Sequence, residues 1–369
     1  MSKLKNKKIY QIKPLILSKD IKSVSDYIKS GGWITEKNKN SEFEEKFKNL
    51  TKSKYAITFP NGTLTLLGIL LTLNLKKNDE VIVPALTMVA TANSVILAGA
   101  KVIFCDVEED SLCMSPKSLK NLITRNTRAI IYVTLNGRSG NIFNIKSICR
   151  NYNISLVEDS AHSIGSYYKN NIHHGNLGVA ASFSFSMPKI ITTGQGGMIV
   201  TNNYLFYKKI RQLKNFGRFS DGNDDYNTLG YNFKFTDLQS SLGISQLSNI
   251  RHRINKKRDI YKLYIKELAS IKEIFFKKFQ SGETPWFVDV YLNKKKELAK
   301  FLLKNQIFTR DVYPPLNKLD FYKSYSKNSC PVAEKYSSSG LWLPSSLDLS
   351  KKDIIHICRL IKIFFRKIN

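Results

Sequence analysis

From about Tyr55 onward the chain alternates two kinds of apolar segment. Short β-branched runs, "YAITF", "EVIVP", "KVIFCDV", "RAIIYVT" and "ISLVED", have the length and side-chain type of buried strands. Between them lie "LTLLGILLTLNL", "TANSVILAGA", "SPKSLKNLI" and "NIKSICRNY", whose apolar positions recur at helical spacing. Strands that alternate with helices predict a largely parallel α/β sheet, because a parallel pair needs a long crossover to return the chain. Two further runs, "SFSFS" and "MIVTN", are separated by one lysine-bearing segment and a glycine-rich turn. That spacing predicts an antiparallel insertion beside the sheet.

The pattern changes after about Ile250. "RHRINKKRDIYKLYIKELASI" reads as a charged helix, "PWFVDVYL" as a strand and "KKKELAKFLLKN" as a Lys-rich helix. The closing "LWLPSSLDLSKKDIIHICRLIKIFF" reads as a strand followed by an amphipathic helix capped near Ser350. This is the make-up of a second, smaller α/β domain, and 369 residues exceed one typical core. No internal repeat or low-complexity linker interrupts the chain.

Composition changes the picture little. Apolar residues make up 42%, enough for globular folding. A formal net charge of +29 invites a nucleic-acid reading. Its distribution argues otherwise: lysine outnumbers arginine and is scattered from Lys3 to Lys367 among Asn and Ile. Runs such as "KLKNKK", "NKKKELAK" and "RHRINKKR" read as solvated helix faces, although a basic surface would also draw phosphate-bearing small molecules. Five cysteines, odd in number and widely spaced, show no CxxC pairing and indicate neither a disulfide framework nor a zinc site. The start, "MSKLKNKKIYQ", lacks the apolar core of a leader, and no apolar run is long enough to span a bilayer. A reducing cytoplasm is therefore the expected location.

Candidate chemistry lies in three places. In "YAITFPNGTLTLLGILL" a strand ends in Asn61-Gly62-Thr63, which opens directly into a helix. The free N–H groups and dipole of such a start make an anion site, with the Thr63 hydroxyl as a further donor. An ordinary turn with Asn or Thr capping the helix is the plain alternative. In "SLVEDSAHSIG" a strand ends in Glu158-Asp159, with His162 three residues on. Ligands of open α/β sheets sit at the carboxyl ends of strands, and a carboxylate there could keep a pyridinium nitrogen protonated. Asp as a cap and His as a packed ring is the other reading. In "SFSFSMPKIITTGQGG" Lys189 stands among Ile, Met, Pro and Phe, where a permanent ammonium is costly. A lysine so placed shifts its pKa readily and serves as a Schiff-base nucleophile. Ser184, five positions earlier, could reach the phosphate of the same cofactor.

Phosphate cradle, pyridinium partner and desolvated lysine, in this order, fit a pyridoxal 5′-phosphate enzyme. Competing chemistries lack their parts. There is no G-x-S-x-G nucleophile elbow and no GxGxxG after the first strand. The adjacent His173-His174 would point to different faces rather than to one metal.

At this point the chain resembles a known family, the DegT/DnrJ/EryC1/StrS sugar aminotransferases. The resemblance rests on "GGWIT", "NGT", "VPALTMVATANSVILAGAKVIFCDV", "VEDSAHSIGS", "SFSFSMPKIITTGQGG", "GYNFKFTDLQSSLGISQL" and "TRDVYPPL", in order along nearly the whole length. It implies the aspartate-aminotransferase architecture, fold type I: a large, mostly parallel sheet between helices (residues 1–250) and a smaller C-terminal α/β domain (residues 251–369). It implies that Lys189 forms the Schiff base with the cofactor and that Asp159 pairs with the pyridine nitrogen. His162 falls near the cofactor's 3-hydroxyl, and Gly62, Thr63 and Ser184 hold its phosphate. Asn232 matches an asparagine that reaches the phosphate bound by the neighbouring subunit, which makes a homodimer with shared sites the expected state. Trp33, Arg310 and Tyr313 match positions on the sugar side. Met88 stands where an aromatic ring commonly stacks on the cofactor, Gln195 replaces a usual Glu, and Asn61 a frequent Ser. The implied reaction moves the amino group of L-glutamate to a keto-sugar, first of all a nucleotide-linked 4-keto-6-deoxy sugar as in perosamine synthesis for surface polysaccharide. A 3-keto sugar, a free 8-keto sugar acid or sugar dehydration are the alternatives. Some relatives that dehydrate sugars carry His at the lysine position, so Lys189 favours transamination.

Overall fold

The computed structural model describes residues 7–218, 224–325 and 328–367. Residues 1–6 of the stretch examined for a leader lie outside them. All five alternating runs form strands: β1 (Tyr55–Phe59), β2 (Glu80–Pro84), β3 (Lys101–Cys105), β4 (Thr127–Val133) and β5 (Ser155–Asp159). They are joined by β6 (Ala180–Ser184) and β7 (Gly197–Thr201) in a seven-stranded sheet of order β1-β7-β6-β5-β4-β2-β3. From β6 to β3 every neighbouring pair is parallel. The helices Gly62–Thr72, Val89–Leu97, Pro116–Leu122 and Ile142–Asn151 occupy the predicted intervals.

One expectation is corrected. β6 and β7 are antiparallel, but they lie inside the sheet rather than beside it, because β7 also pairs antiparallel with β1. Both strands are almost wholly buried, so each needs a ladder partner on both edges. Gly197 permits the arrangement: a Cβ there would stand 2.7 Å from the Asn61 carbonyl oxygen, which closes on the end of β7.

A second, antiparallel sheet holds β8 (Phe275–Phe276), β9 (Val288–Tyr291), β10 (Arg310–Asp311) and β11 (Gly340–Leu343) in the order β10-β11-β9-β8. The helices Ile250–Leu268, Lys295–Lys304 and Lys351–Arg366 cover it around buried Ile260, Tyr264, Leu298, Leu302, Ile357 and Ile361. Ile9, from the other end of the chain, joins this core and bridges to Ile307. Ser350 caps its helix as expected: its hydroxyl accepts the Asp353 N–H, and the Asp353 carboxylate accepts the Ser350 N–H.

The charged runs depart from the solvated-face reading. "RHRINKKR" and "NKKKELAK" are largely helical, but Arg253, Lys257 and Lys295 are buried and donate to backbone carbonyls. Lys7 and Lys8, at the end of "KLKNKK", lie outside any helix. Among the described residues no helix is long and apolar enough to cross a membrane.

Candidate active site

The carboxyl ends of β1, β2, β5 and β6 open on one side of the large sheet, and a cavity of about 640 Å³ lies there. Gly62, Thr63, Met88, Asp159, His162, Ser184, Lys189, Arg310 and Tyr313 all line it. Asn232 and Trp33 do not; both are exposed, Trp33 to 61%, beneath the Lys37 ammonium. In a single chain the structure thus gathers nine of the eleven residues singled out and leaves these two on the surface.

Asp159 is the last residue of β5 and is buried. One carboxylate oxygen accepts the Thr91 hydroxyl at 2.8 Å, and the other accepts the Ala161 N–H at 3.2 Å. Burial raises its pKa, while these two bonds and the charge of Lys189 pull it down. Thr91 is held in turn by Thr87 at 3.0 Å, so the carboxylate has a fixed orientation.

Lys189 sits in the connection from β6 to β7, closed by Phe185 and Thr193 pairing at 3.0 Å. No carboxylate lies within ion-pairing reach of its amine among the described residues. Its Nζ instead faces the Trp286 ring, 4.2 Å from the centroid. Burial lowers the amine to about 7; Asp159 raises it and Arg310 lowers it further. An amine in that range is available both as a neutral base and as a cation.

His162 is stacked on Trp286 with centroids 3.9 Å apart. Its Nδ1 accepts the Asn136 N–H at 3.4 Å, which leaves Nε2 facing the Tyr313 hydroxyl at 3.5 Å. Burial, with Lys189 and Arg310 nearby, holds the imidazole well below its usual pKa, so it is neutral. Arg310 projects from β10 with no carboxylate partner among the described residues.

At the other wall Asn61 caps the helix Gly62–Thr72, its side chain accepting the Leu64 N–H at 2.9 Å. The capping reading and the anion-site reading hold together, since the first N–H groups of the helix still lack intrahelical acceptors. Gly62 lets this turn approach β6: a Cβ would stand 2.9 Å from the Ser184 Cβ. Helix start and Ser184 therefore stand side by side on the cavity wall, an arrangement that could hold a phosphate.

These residues fit pyridoxal phosphate. The cradle, the buried carboxylate and the amine border a single cavity large enough for the cofactor and a substrate. Trp286, Asn136 and Thr91 were missed from the sequence. Thr91 had a readable signal, three residues after Met88 in the first turn of a helix. Trp286 and Asn136 had none, because their partners are remote in the chain.

Comparison with known proteins agrees. The sequence profile described as the DegT/DnrJ/EryC1/StrS aminotransferase family matches residues 14–362. The chain is 33% identical over 362 residues to a GDP-perosamine synthase of Escherichia coli O157:H7, covering 97% of this chain and 98% of that protein. It is 32% identical over 360 residues to one of Vibrio cholerae, covering 95% and 98%. An aminotransferase of pseudoaminic acid biosynthesis from Helicobacter pylori shares the fold with a TM-score of 0.93 at 23% identity, over 98% of this chain and 100% of that one. A Streptococcus pneumoniae protein described as a putative sugar aminotransferase, in its PLP form, gives 0.92 at 26% identity, over 98% and 100%. With the profile covering nearly its full length, this chain belongs to the DegT/DnrJ/EryC1/StrS aminotransferase family and is a pyridoxal-phosphate-dependent aminotransferase of fold type I.

Proposed function

We propose that the enzyme moves the amino group of L-glutamate to a nucleotide-diphosphate-linked 4-keto-6-deoxy sugar, as a step toward a surface polysaccharide, in the cytoplasm. The observation that carries this reading is one cavity bordered both by a lysine amine lowered to about 7 and by a buried carboxylate. The GDP-perosamine synthases, matched end to end, support the choice of sugar.

Pyridoxal phosphate, when bound, supplies an aldehyde that condenses with amines and a ring that takes up the electron pair left on the donor's α-carbon. Gly62, Thr63 and Ser184 would hold its phosphate, and Asp159 the proton on its ring nitrogen. Placing that cation against Asp159 offsets the burial that raises the carboxyl. Neutral Lys189 Nζ takes the proton from the donor's α-carbon and delivers it on the other side of the transfer. His162, kept neutral, offers a hydrogen bond without a competing charge. Arg310 binds the anionic groups of donor or acceptor. Met88, 42% exposed at the start of its helix, would border the cofactor with an adaptable thioether.

Asn232 is exposed and outside its own chain's cavity, which supports a homodimer in which it serves the partner's phosphate. Trp33 is assigned to the same shared region. The two sheets, whose strands lie in residues 55–201 and 275–343, support a large domain of residues 1–250 and a small one of residues 251–369, with Ile9 packed into the small core and Trp286, Phe287 and Trp342 into the large one. Turnover of keto-sugars with glutamate, scored by product mass, tests the reading. A GDP-linked 4-keto-6-deoxy sugar is expected to be aminated fastest, and consumption of the sugar without loss of glutamate would point to dehydration.

A further inference from the structure

Lys257 is a buried amine that the reaction does not use. It lies on the helix Ile250–Leu268, and its Nζ donates to the Trp286 and Ser345 carbonyls, each at 2.7 Å. No carboxylate neutralises it among the described residues, and burial alone drives the amine down to about 7. Desolvating an amine without a counter-charge is costly, so the site must obtain something from it.

The sheet register shows what. β9 and β11 pair antiparallel, with Val288 opposite Leu343. Two residues further toward the cavity, Trp286 stands at the position opposite Ser345, where no ladder bond joins them. Lys257 bridges those two carbonyls in place of the ladder. On its other side Trp286 is held by Asn136, whose carbonyl accepts the Trp286 N–H at 3.2 Å. The Asn136 side chain pairs with both Phe287 backbone groups, at 2.6 and 3.0 Å. So fixed, the indole N–H donates to the Pro188 carbonyl at 2.8 Å, next to Lys189. The same ring meets His162 and the Lys189 amine.

We propose that Lys257 is a positioning residue for the transamination site: by holding the Trp286 and Ser345 carbonyls on one amine, it fixes the indole ring that Lys189 and His162 meet. The inference rests on the reading of Lys189 as the lysine that carries the cofactor. A π face favours the cationic form of a nitrogen placed over it. Losing the clamp therefore makes the Lys189 nitrogen less basic, in a setting where the other groups facing it are Asp159, Arg310 and His162.

The test is a pH titration of the bound cofactor's visible absorption band in the dimeric holoenzyme. Trp286→Phe and Lys257→Met each lower its midpoint by about half a pH unit. The double variant shifts no further than Trp286→Phe alone, because one residue acts through the other. Lys257→Arg, which keeps a cation with two donors, restores the wild-type midpoint. A Lys257→Met midpoint equal to wild type, or additive shifts in the double variant, overturns the proposal, whatever happens to thermal stability. Should Lys257→Met not fold, Lys257→Gln replaces it, and a holoenzyme crystal structure with Nζ more than about 4 Å from the Trp286 carbonyl overturns the proposal equally. Borohydride separates the two readings. If it fixes the label on another lysine, the site assignment fails; if it labels Lys189 and the midpoint stays put, only the role of Lys257 fails.

Discussion

Two lysines, Lys214 fully buried and Lys189 half-buried at the cavity, lead different lives. Lys214, at the end of the helix Tyr204–Lys214, is met by Glu36 at 2.7 Å, Thr58 at 3.0 Å and Glu44 at 3.8 Å. Burial lowers its amine, and the two carboxylates hold it up. Lys189 is desolvated as well, but its nearest partners are an aromatic ring and a carboxylate beyond pairing distance, and its amine falls to about 7. Burial by itself does not make an amine reactive. Burial without a counter-ion in contact lowers the amine, because nothing then compensates the charged form, and it serves chemistry only where the amine also borders the cavity, as Lys189 does and Lys257 does not. The Lys214 cluster also joins distant segments: Glu36 accepts the Phe235 N–H, and Asp237 accepts the Lys37 and Asn40 N–H groups. That is a structural use of charge; the cavity uses charge for chemistry.

The contrast breaks most sharply at Lys189 itself. Lys189→Ala is expected to keep bound cofactor yet slow the glutamate half-reaction about a thousandfold or more, followed by stopped-flow absorbance. Unchanged turnover would remove this lysine from the reaction. Lys214→Met should show the reverse. Stranding Glu36 lowers unfolding stability by about 3 kcal/mol in denaturant titration, while the folded enzyme keeps its turnover. A Lys214→Met protein as stable as wild type would mean that the cluster is not a structural anchor. The smallest effect is the most diagnostic. An amine at about 7 is cationic below that pH and neutral above it. The glutamate half-reaction should therefore quicken roughly tenfold from pH 6 to pH 8. A flat profile would place the working base elsewhere.

Much of the site was legible in the sequence because its parts are local. Gly62-Thr63 open a helix straight after a strand, Asp159 ends a strand, and Lys189 sits in an apolar turn. Each feature is readable from a few neighbouring residues. The error over β6 and β7 had a definite cause: local spacing predicts that two strands pair, but not which third strand takes the free edge. The charged runs misled similarly. Helical spacing showed that "RHRINKKR" is a helix, yet only packing against the small sheet decided that Lys257 and Arg253 turn inward.

The amino-acid order alone determined the alternation of strands and helices, the candidate lysine and carboxylate, and the family to which they point, since these follow from short-range pattern and motif. Tertiary structure decided that one cavity holds nine of those residues while Asn232 and Trp33 stay outside it. It also placed Trp286, held by Lys257 and Asn136, in contact with both the lysine and the histidine. Such contacts join residues up to 151 positions apart, as at Asn136 and Phe287, and only the closure of the chain into sheets brings them within reach.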